Sequence, residues 1–164
     1  ILSPEQIKEG WLNHIYSNEN APEGENYLWV SNETAYYLMM EGIIPPETSN
    51  PKLNSNYSMI DAQLTTEIFG VLCPVRDDIA MKMAHLPIRV TAKLNSEWVS
   101  KFYVSMHSLA SKVDSNLNMK DQIEWLAKEA RKTLPNNSYS AKIFDHIRKL
   151  YLENPDKNLS LIHI

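Results

Sequence analysis

The chain has 164 residues, of which 43% are hydrophobic and 22% charged, values typical of a single globular domain or a piece of one. A formal charge of −4 excludes the basic surface that binding to nucleic-acid phosphates needs. No apolar stretch approaches the ~18 residues of a membrane-spanning helix, and Cys73, the single cysteine, cannot form an intrachain disulfide. We therefore expect a cytoplasmic protein with no nucleic-acid or membrane partner.

The first two predicted helices carry clear end signals. Ser3, with a proline directly after it, is typical of a helix start, and this helix is expected to run to about Tyr16. A second helix is expected to begin at Ser31 and to end near Glu41, where Gly42 is placed as its C-terminal stop.

The third predicted helix, from about Tyr57 to Leu72, is the most informative part of the sequence. Apolar residues recur along it with helical spacing and also spread around the rest of its circumference, so we expect a central, mostly buried helix. The residues that share its main apolar face are Ile60, Leu64, Ile68 and Val71.

Further helices fill the second half of the chain. A short helix capped by Asp77 is expected to run through Ala84, and a long helix is expected over about 95–113. Helices over about 119–134 and 139–152 follow, with Asn118 and Ser138 as their N-caps. The pattern predicts an all-α protein.

The two ends of the chain are unusual. It opens at Ile1 rather than Met, which indicates a processed or truncated product. Residues 159–164 turn abruptly apolar after a polar stretch and have no helix-start signal. We therefore expect a partial helical domain over residues 1–158 and a non-native tail over 159–164.

Three polar residues stand beside the apolar face of the third helix. Gln63 and Glu67 lie four residues apart and flank it, and Asp61 lies near its other border. Polar groups in such a place need hydrogen-bond partners, because burying them without partners is costly. They either line a ligand cleft or belong to a buried hydrogen-bond network, and both interpretations stay open.

Other signals of catalysis are weak. The sequence has no Gly-rich phosphate loop, paired-cysteine zinc site or Gly-x-Ser-x-Gly motif, and its histidines are too scattered to suggest a shared metal. Asp77 and Asp78 are able to hold a divalent cation, but acids at a helix start are also what the helix dipole favours. We therefore interpret this pair as part of a helix start.

Three segments stand in a recognisable order: EGIIPP at 41–46, IDAQLTTEIFG at 60–70 and FYVSMHSLA at 102–110. The second is followed by Pro74 and by Asp77–Ala80. In order and spacing they resemble the middle and later part of the all-α ADP-ribosylglycohydrolase domain, the family that includes dinitrogenase-reductase-activating glycohydrolase. The resemblance covers about residues 25–110 and continues more loosely through the last predicted helix. The architecture that it implies is an orthogonal helical bundle, of which this chain would be a fragment.

The resemblance implies hydrolysis of a glycosidic bond of ADP-ribose, or of a related riboside, at a two-magnesium centre. Its substrate would be an ADP-ribosylated protein or a small ADP-ribosyl compound. The family's metal ligands lie in an early Asp-Asp-Thr and a late Asp-x-Asp-Thr motif, and this sequence contains neither. We therefore expect the Mg²⁺ ligands to lie outside this chain, and the chain alone to be inactive.

The resemblance also bears on individual residues. Gln63, Glu67 and Asp61 become the residues expected to contact substrate or to support the site. The family's mid-domain His-Asp-Gly would fall at 92–94, where Ala92 and Leu94 stand in place of the His and the Gly.

Two alternatives remain. The first alternative to a glycohydrolase fragment is a self-contained all-α module that binds a partner through an exposed apolar groove. The second is a complete small enzyme using Asp77, Asp78 and His85. The second of these lacks a visible set of base, orienting group and nucleophile. Coding sequence on either side of this chain would discriminate, because the two missing aspartate motifs would lie there in the glycohydrolase.

Overall fold

A computed structural model describes residues 1–15 and 28–154. Within these ranges all regular structure is helical, so the all-α prediction is confirmed. None of the described helices combines the length and apolar character needed to cross a membrane. The α-helices are α1 (Pro4–His14), α2 (Val30–Met40), α3 (Asp61–Thr66), α4 (Ile68–Leu72), α5 (Asp77–Ile88), α6 (Asn95–Leu109), α7 (Met119–Ala130) and α8 (Tyr139–Glu153).

Helix α6 is the centre of the fold. It packs against α3, α4 and α5 on one side and also contacts α7 and α8. Small side chains dominate the main core, which lets the helix backbones approach one another closely. The buried residues of this core are Ala62, Ala80, Ala84, Ile88, Ala92 and Val104. A second cluster joins α1 and α2 through Ile7, Ala35, Met39 and Val90.

Several predicted helix ends are confirmed. The Ser3 side chain accepts a hydrogen bond from the backbone of Gln6 at 3.2 Å, and the Gln6 side chain accepts one from the backbone of Ser3 at 2.8 Å. Gly42 follows α2 with a φ of +97°, which glycine adopts without a Cβ penalty. Asn118 and Ser138 cap α7 and α8 with their side chains. These signals are local, and tertiary packing left them unchanged.

The start of α2 differs from the prediction. The helix begins at Val30, and Trp29 is its N-cap without a side-chain hydrogen bond. Ser31 instead lies buried in the first turn, where its carbonyl accepts a hydrogen bond from the Asn54 amide at 3.3 Å. The predicted end of the first helix, at Tyr16, lies outside the described residues.

The α5 prediction is wrong at both ends. Arg76, not Asp77, is the N-cap residue, and Asp78 is engaged by the Arg76 guanidinium through two hydrogen bonds of 2.8 Å. Pro87 lies in the last turn and the helix ends at Ile88, four residues beyond the predicted end. Proline has no N–H, so it removes one helical hydrogen bond, the one it would donate to the carbonyl four residues earlier, and the last turn of α5 tolerates this loss. The α-helical parts of α6 and α7 also stop early, in 3-10 turns over 110–112 and 131–133.

The predicted third helix is shorter than expected and is divided into two. It starts at Asp61 rather than Tyr57, because the Tyr57 carbonyl is held at the start of α6. There it accepts hydrogen bonds from the Ser96 hydroxyl at 2.6 Å and from the Lys93 backbone N–H at 3.2 Å. Glu67 separates α3 from α4 but keeps helical backbone angles, with φ −55° and ψ −33°. Side-chain positions therefore follow helical spacing from α3 into α4.

The expectation that this helix is mostly buried is wrong, because its predicted apolar face is exposed. More than half of the Ile60, Leu64, Ile68 and Val71 side chains is accessible, at 61%, 62%, 51% and 56%. The opposite face, made of small residues such as Ala62, Thr66 and Gly70, is buried against α5 and α6. The α3–α4 apolar face is defined here as Ile60, Leu64, Ile68, Val71 and Leu72.

A cluster of mostly buried charges ties α5, α6 and the 46–49 loop together. Glu97 on α6 lies 2.6 Å from the Lys101 ammonium and 3.7 Å from the Arg89 guanidinium. Arg89 also donates to the Ser49 hydroxyl at 3.0 Å. His85 lies near this cluster, and burial, followed by repulsion from Lys101, lowers the pKa of its imidazole.

Stability should therefore fall as the pH drops below about 6.5, the ordinary pKa of histidine. In that range the unfolded chain binds a proton at His85 more readily than the folded chain, so acid favours unfolding. Melting temperatures measured between pH 5.5 and 7.5 test this expectation, with His85→Gln as the comparison. A variant whose melting temperature varies with pH as much as that of the unmodified chain would contradict it.

Candidate functional site

Glu67 and His107 form a carboxylate–imidazole pair beside the predicted site residue Gln63. The Glu67 Oε2 atom lies 3.5 Å from the His107 Nε2 atom, and 37% and 41% of the two side chains are exposed. A carboxylate beside an imidazole is a common arrangement for moving or holding a proton. Both groups reach solvent, so a ligand has access to them.

The packing of α4 against α6 creates this pair. A Cβ atom on Gly70 would lie 2.3 Å from the Val104 carbonyl oxygen and 2.8 Å from the His107 Cβ, so only glycine permits this approach. The Val75 backbone N–H donates to the Ser108 carbonyl at 2.8 Å and fixes the end of α4 on α6. Glu67 and His107 are thereby held on facing helices.

The structure brings two of the three predicted site residues to one side. Gln63 and Glu67 lie one helical turn apart and are both partly exposed. Asp61 lies on the other border of the α3–α4 apolar face and is only 7% exposed. Among the described residues, no hydrogen bond or ion pair joins these three side chains, so they do not converge on one point.

His107 is a residue that the sequence reasoning did not select. It lies within the FYVSMHSLA segment, but nothing in the spacing of the histidines sets it apart. Only the contact between α4 and α6 places it beside Glu67, which is distant in sequence. One sequence feature could have pointed to this pair: Glu67 and His107 both lie in segments that carry the family resemblance.

Leu94 has a backbone conformation that favours glycine. Its φ of 61° and ψ of −127° are strained for a residue with a Cβ atom. Leu94 is the position at which the resemblance places the family's glycine. Ala92, at the family's histidine position, is 1% exposed and belongs to the main core.

Replacing Leu94 with glycine should therefore stabilise the chain by about 1 kcal/mol. Strain of this kind costs about 1 to 3 kcal/mol, and the greater freedom of glycine in the unfolded chain offsets part of the gain. Thermal unfolding measures the difference. Leu53→Gly is the matched control, since both leucines are 43% exposed but Leu53 has a negative φ, and it should be neutral or destabilising. A lower melting temperature for Leu94→Gly would contradict the expectation.

No group of three or more His, Cys, Asp or Glu side chains in residues 1–15 and 28–154 is arranged to hold a metal ion. The described residues therefore do not themselves form the magnesium centre that the resemblance implies, and we assign none of them to the ion. Asp78 is occupied by Arg76, whose hydrogen bonds lower the pKa of the Asp78 carboxyl to about 2.

A separate apolar groove runs between α7 and α8. Its volume is about 310 Å³, and it is lined by Ile123, Ala127, Phe144 and Ile147 among others. Charged side chains border it: the Lys120 ammonium lies 5.3 Å from the centre of the Tyr151 ring, and Arg148 pairs with Glu124. Its lining contains neither Glu67 nor His107.

Comparison with known proteins assigns the chain to no family. The resemblance to ADP-ribosylglycohydrolases stays a prediction carried by the segments quoted above. Compared with models of protein families, with curated proteins and with solved structures, the chain shows no match.

Proposed function

We propose that this chain is part of a metal-dependent glycohydrolase that cleaves a glycosidic bond of ADP-ribose or of a related riboside. The observation that carries the proposal is the backbone of Leu94, which takes a glycine-like conformation where the family resemblance places a glycine. The backbone conformation of Leu94 supports the proposal because it played no part in finding the sequence resemblance.

Packing supports the same proposal. The second and third resembling segments, 60–70 and 102–110, lie in α3, α4 and α6, and these helices are in direct contact. Gly70 belongs to one segment and Val104 to the other, and a Cβ atom on Gly70 would lie 2.3 Å from the Val104 carbonyl oxygen. Segments of one ancestral domain would be expected to pack in this way.

The proposed roles follow from the exposed groups. The Glu67 carboxylate accepts a hydrogen bond from a ribose hydroxyl, and the Gln63 amide supplies a donor and an acceptor one turn away. His107 orients the Glu67 carboxylate, since its Nε2 lies 3.5 Å from Oε2. Magnesium, which the resemblance implies, supplies polarisation of the reacting group when bound.

Release of ADP-ribose tests the proposal. The protein encoded by the complete reading frame around this chain should release ADP-ribose from an ADP-ribosylated protein when Mg²⁺ is present and not when it is chelated. Chromatography of the released nucleotide is the measurement. The 164-residue chain by itself should release none. A complete protein that releases no ADP-ribose or related riboside product with Mg²⁺ would contradict the proposal.

A second candidate function, an interaction module without catalysis, is favoured by the apolar groove between α7 and α8. An apolar groove with charged borders suits the binding of a partner segment. The flanking coding sequence separates the two candidates, because the module needs neither of the aspartate motifs that the glycohydrolase needs.

A further inference from the structure

The α3–α4 apolar face is unusual for the surface of a folded chain. Its members, defined above, are all large aliphatic residues, and each is more than half exposed. They follow one another at helical spacing and so form a continuous stripe. Large contiguous patches of exposed apolar surface mark interaction sites.

The borders of this stripe are acidic. Asp61 stands three residues before Leu64 and seven before Ile68, which places it along one edge, and Glu67 lies along the other. Asp61 is only 7% exposed, yet its Oδ1 atom has no hydrogen-bond partner among the described residues. A covered carboxylate oxygen without a partner is costly, so a cationic donor that reached Asp61 as side chains at this edge of the stripe moved aside would relieve that cost.

We propose that the α3–α4 apolar face binds a basic amphipathic helix, whose apolar side covers Leu64 and Ile68 and whose Lys or Arg side chain pairs with Asp61. The apolar stripe supplies the contact area, and the acidic borders select a cationic partner over a neutral or acidic one. This inference does not depend on the proposed catalytic activity.

A labelled peptide of about 18 residues, with Leu and Lys in an amphipathic helical pattern, is the probe. Fluorescence anisotropy with the 164-residue chain should show binding about tenfold tighter than for a peptide of the same composition in scrambled order. A Leu/Glu peptide of the same pattern should bind more weakly than the Leu/Lys peptide. Equal binding of the scrambled peptide would overturn the proposal.

Leu64→Glu tests the apolar contact. It adds negative charge, so nonspecific attraction to a cationic peptide would strengthen, whereas docking on the apolar face should weaken about tenfold. Met40→Glu is the control, because Met40 is 59% exposed at the end of α2 and lies outside the proposed surface. Weakening by Met40→Glu of the same size would overturn the assignment of this face.

Asp61→Asn tests the cationic contact, and it should move two measurements in opposite directions. Removal of an unpaired buried charge should raise the melting temperature of the free chain, while affinity for the Leu/Lys peptide should fall by about threefold or more. Glu9→Gln removes an exposed acid on α1 and should change neither quantity. A lower melting temperature or an unchanged affinity for Asp61→Asn would overturn the role of this carboxylate.

A second copy of the chain is the rival occupant of this face. Sedimentation at micromolar concentration should show a monomer. A dimer that Leu64→Glu dissociates and Met40→Glu does not would overturn the proposal in favour of self-association through the α3–α4 apolar face.

Discussion

Replacing Gly70 with alanine should destabilise the chain by about 3 kcal/mol, the upper end of the range for overpacking a core. The added Cβ would lie 2.3 Å from the Val104 carbonyl oxygen and 3.1 Å from the Ser108 nitrogen. Both are backbone atoms of α6, so no side chain can move aside to make room. Thermal unfolding should show a melting temperature lower by about 6 to 12 °C.

Gly10→Ala is the matched control for this substitution. Gly10 lies inside α1, and a Cβ atom there would meet nothing within 4 Å. Alanine is a better helix former than glycine, so this variant should be more stable by about 0.5 to 1 kcal/mol. Equal changes in melting temperature for the two substitutions would show that the space between Gly70 and α6 is larger than the 2.3 Å distance implies.

Glu67→Gln in the complete protein should lower turnover about tenfold, which corresponds to about 1.4 kcal/mol of activation free energy. The substitution keeps the volume of the side chain but removes the charge that faces His107 and that we propose contacts the ribose. Stability should barely change, because the Glu67 and His107 side chains are 37% and 41% exposed and such pairs contribute about 0 to 1 kcal/mol.

Turnover and melting temperature need to be measured on the same Glu67→Gln protein, with Glu9→Gln as the control that should alter neither. A destabilised variant with normal turnover would assign Glu67 to a structural network and remove it from the site. Loss of turnover with an unchanged melting temperature would support its contact with substrate.

Local signals in the sequence predicted several of the helix boundaries. The capping residues Ser3, Asn118 and Ser138 act on backbone groups three residues away, so neighbouring sequence is enough to identify them. Gly42 likewise ends α2 through its own backbone conformation. Where distant residues intervene, prediction failed: the Tyr57 carbonyl is held by Ser96 in the first turn of α6, and Tyr57 does not enter a helix.

The candidate site was predictable only in part. Gln63 and Glu67 follow from spacing on one helix, and the structure does place them one turn apart. The pairing of Glu67 with His107 depends on the packing of α4 against α6, which no local pattern encodes. The buried and unpaired state of Asp61 is also a property of the assembled fold.

Local residue patterns were enough to predict that this protein is all-α and where several of its helices begin and end, because helix formation and capping depend on nearby residues. Tertiary structure decided which face of α3 and α4 is buried. Hydrophobicity favoured the face with Leu64 and Ile68, but α6 approaches so closely that only residues such as Ala62 and Gly70 fit between the helices. Side-chain size at the helix contact therefore outweighed hydrophobicity, and the larger apolar residues were left on the surface.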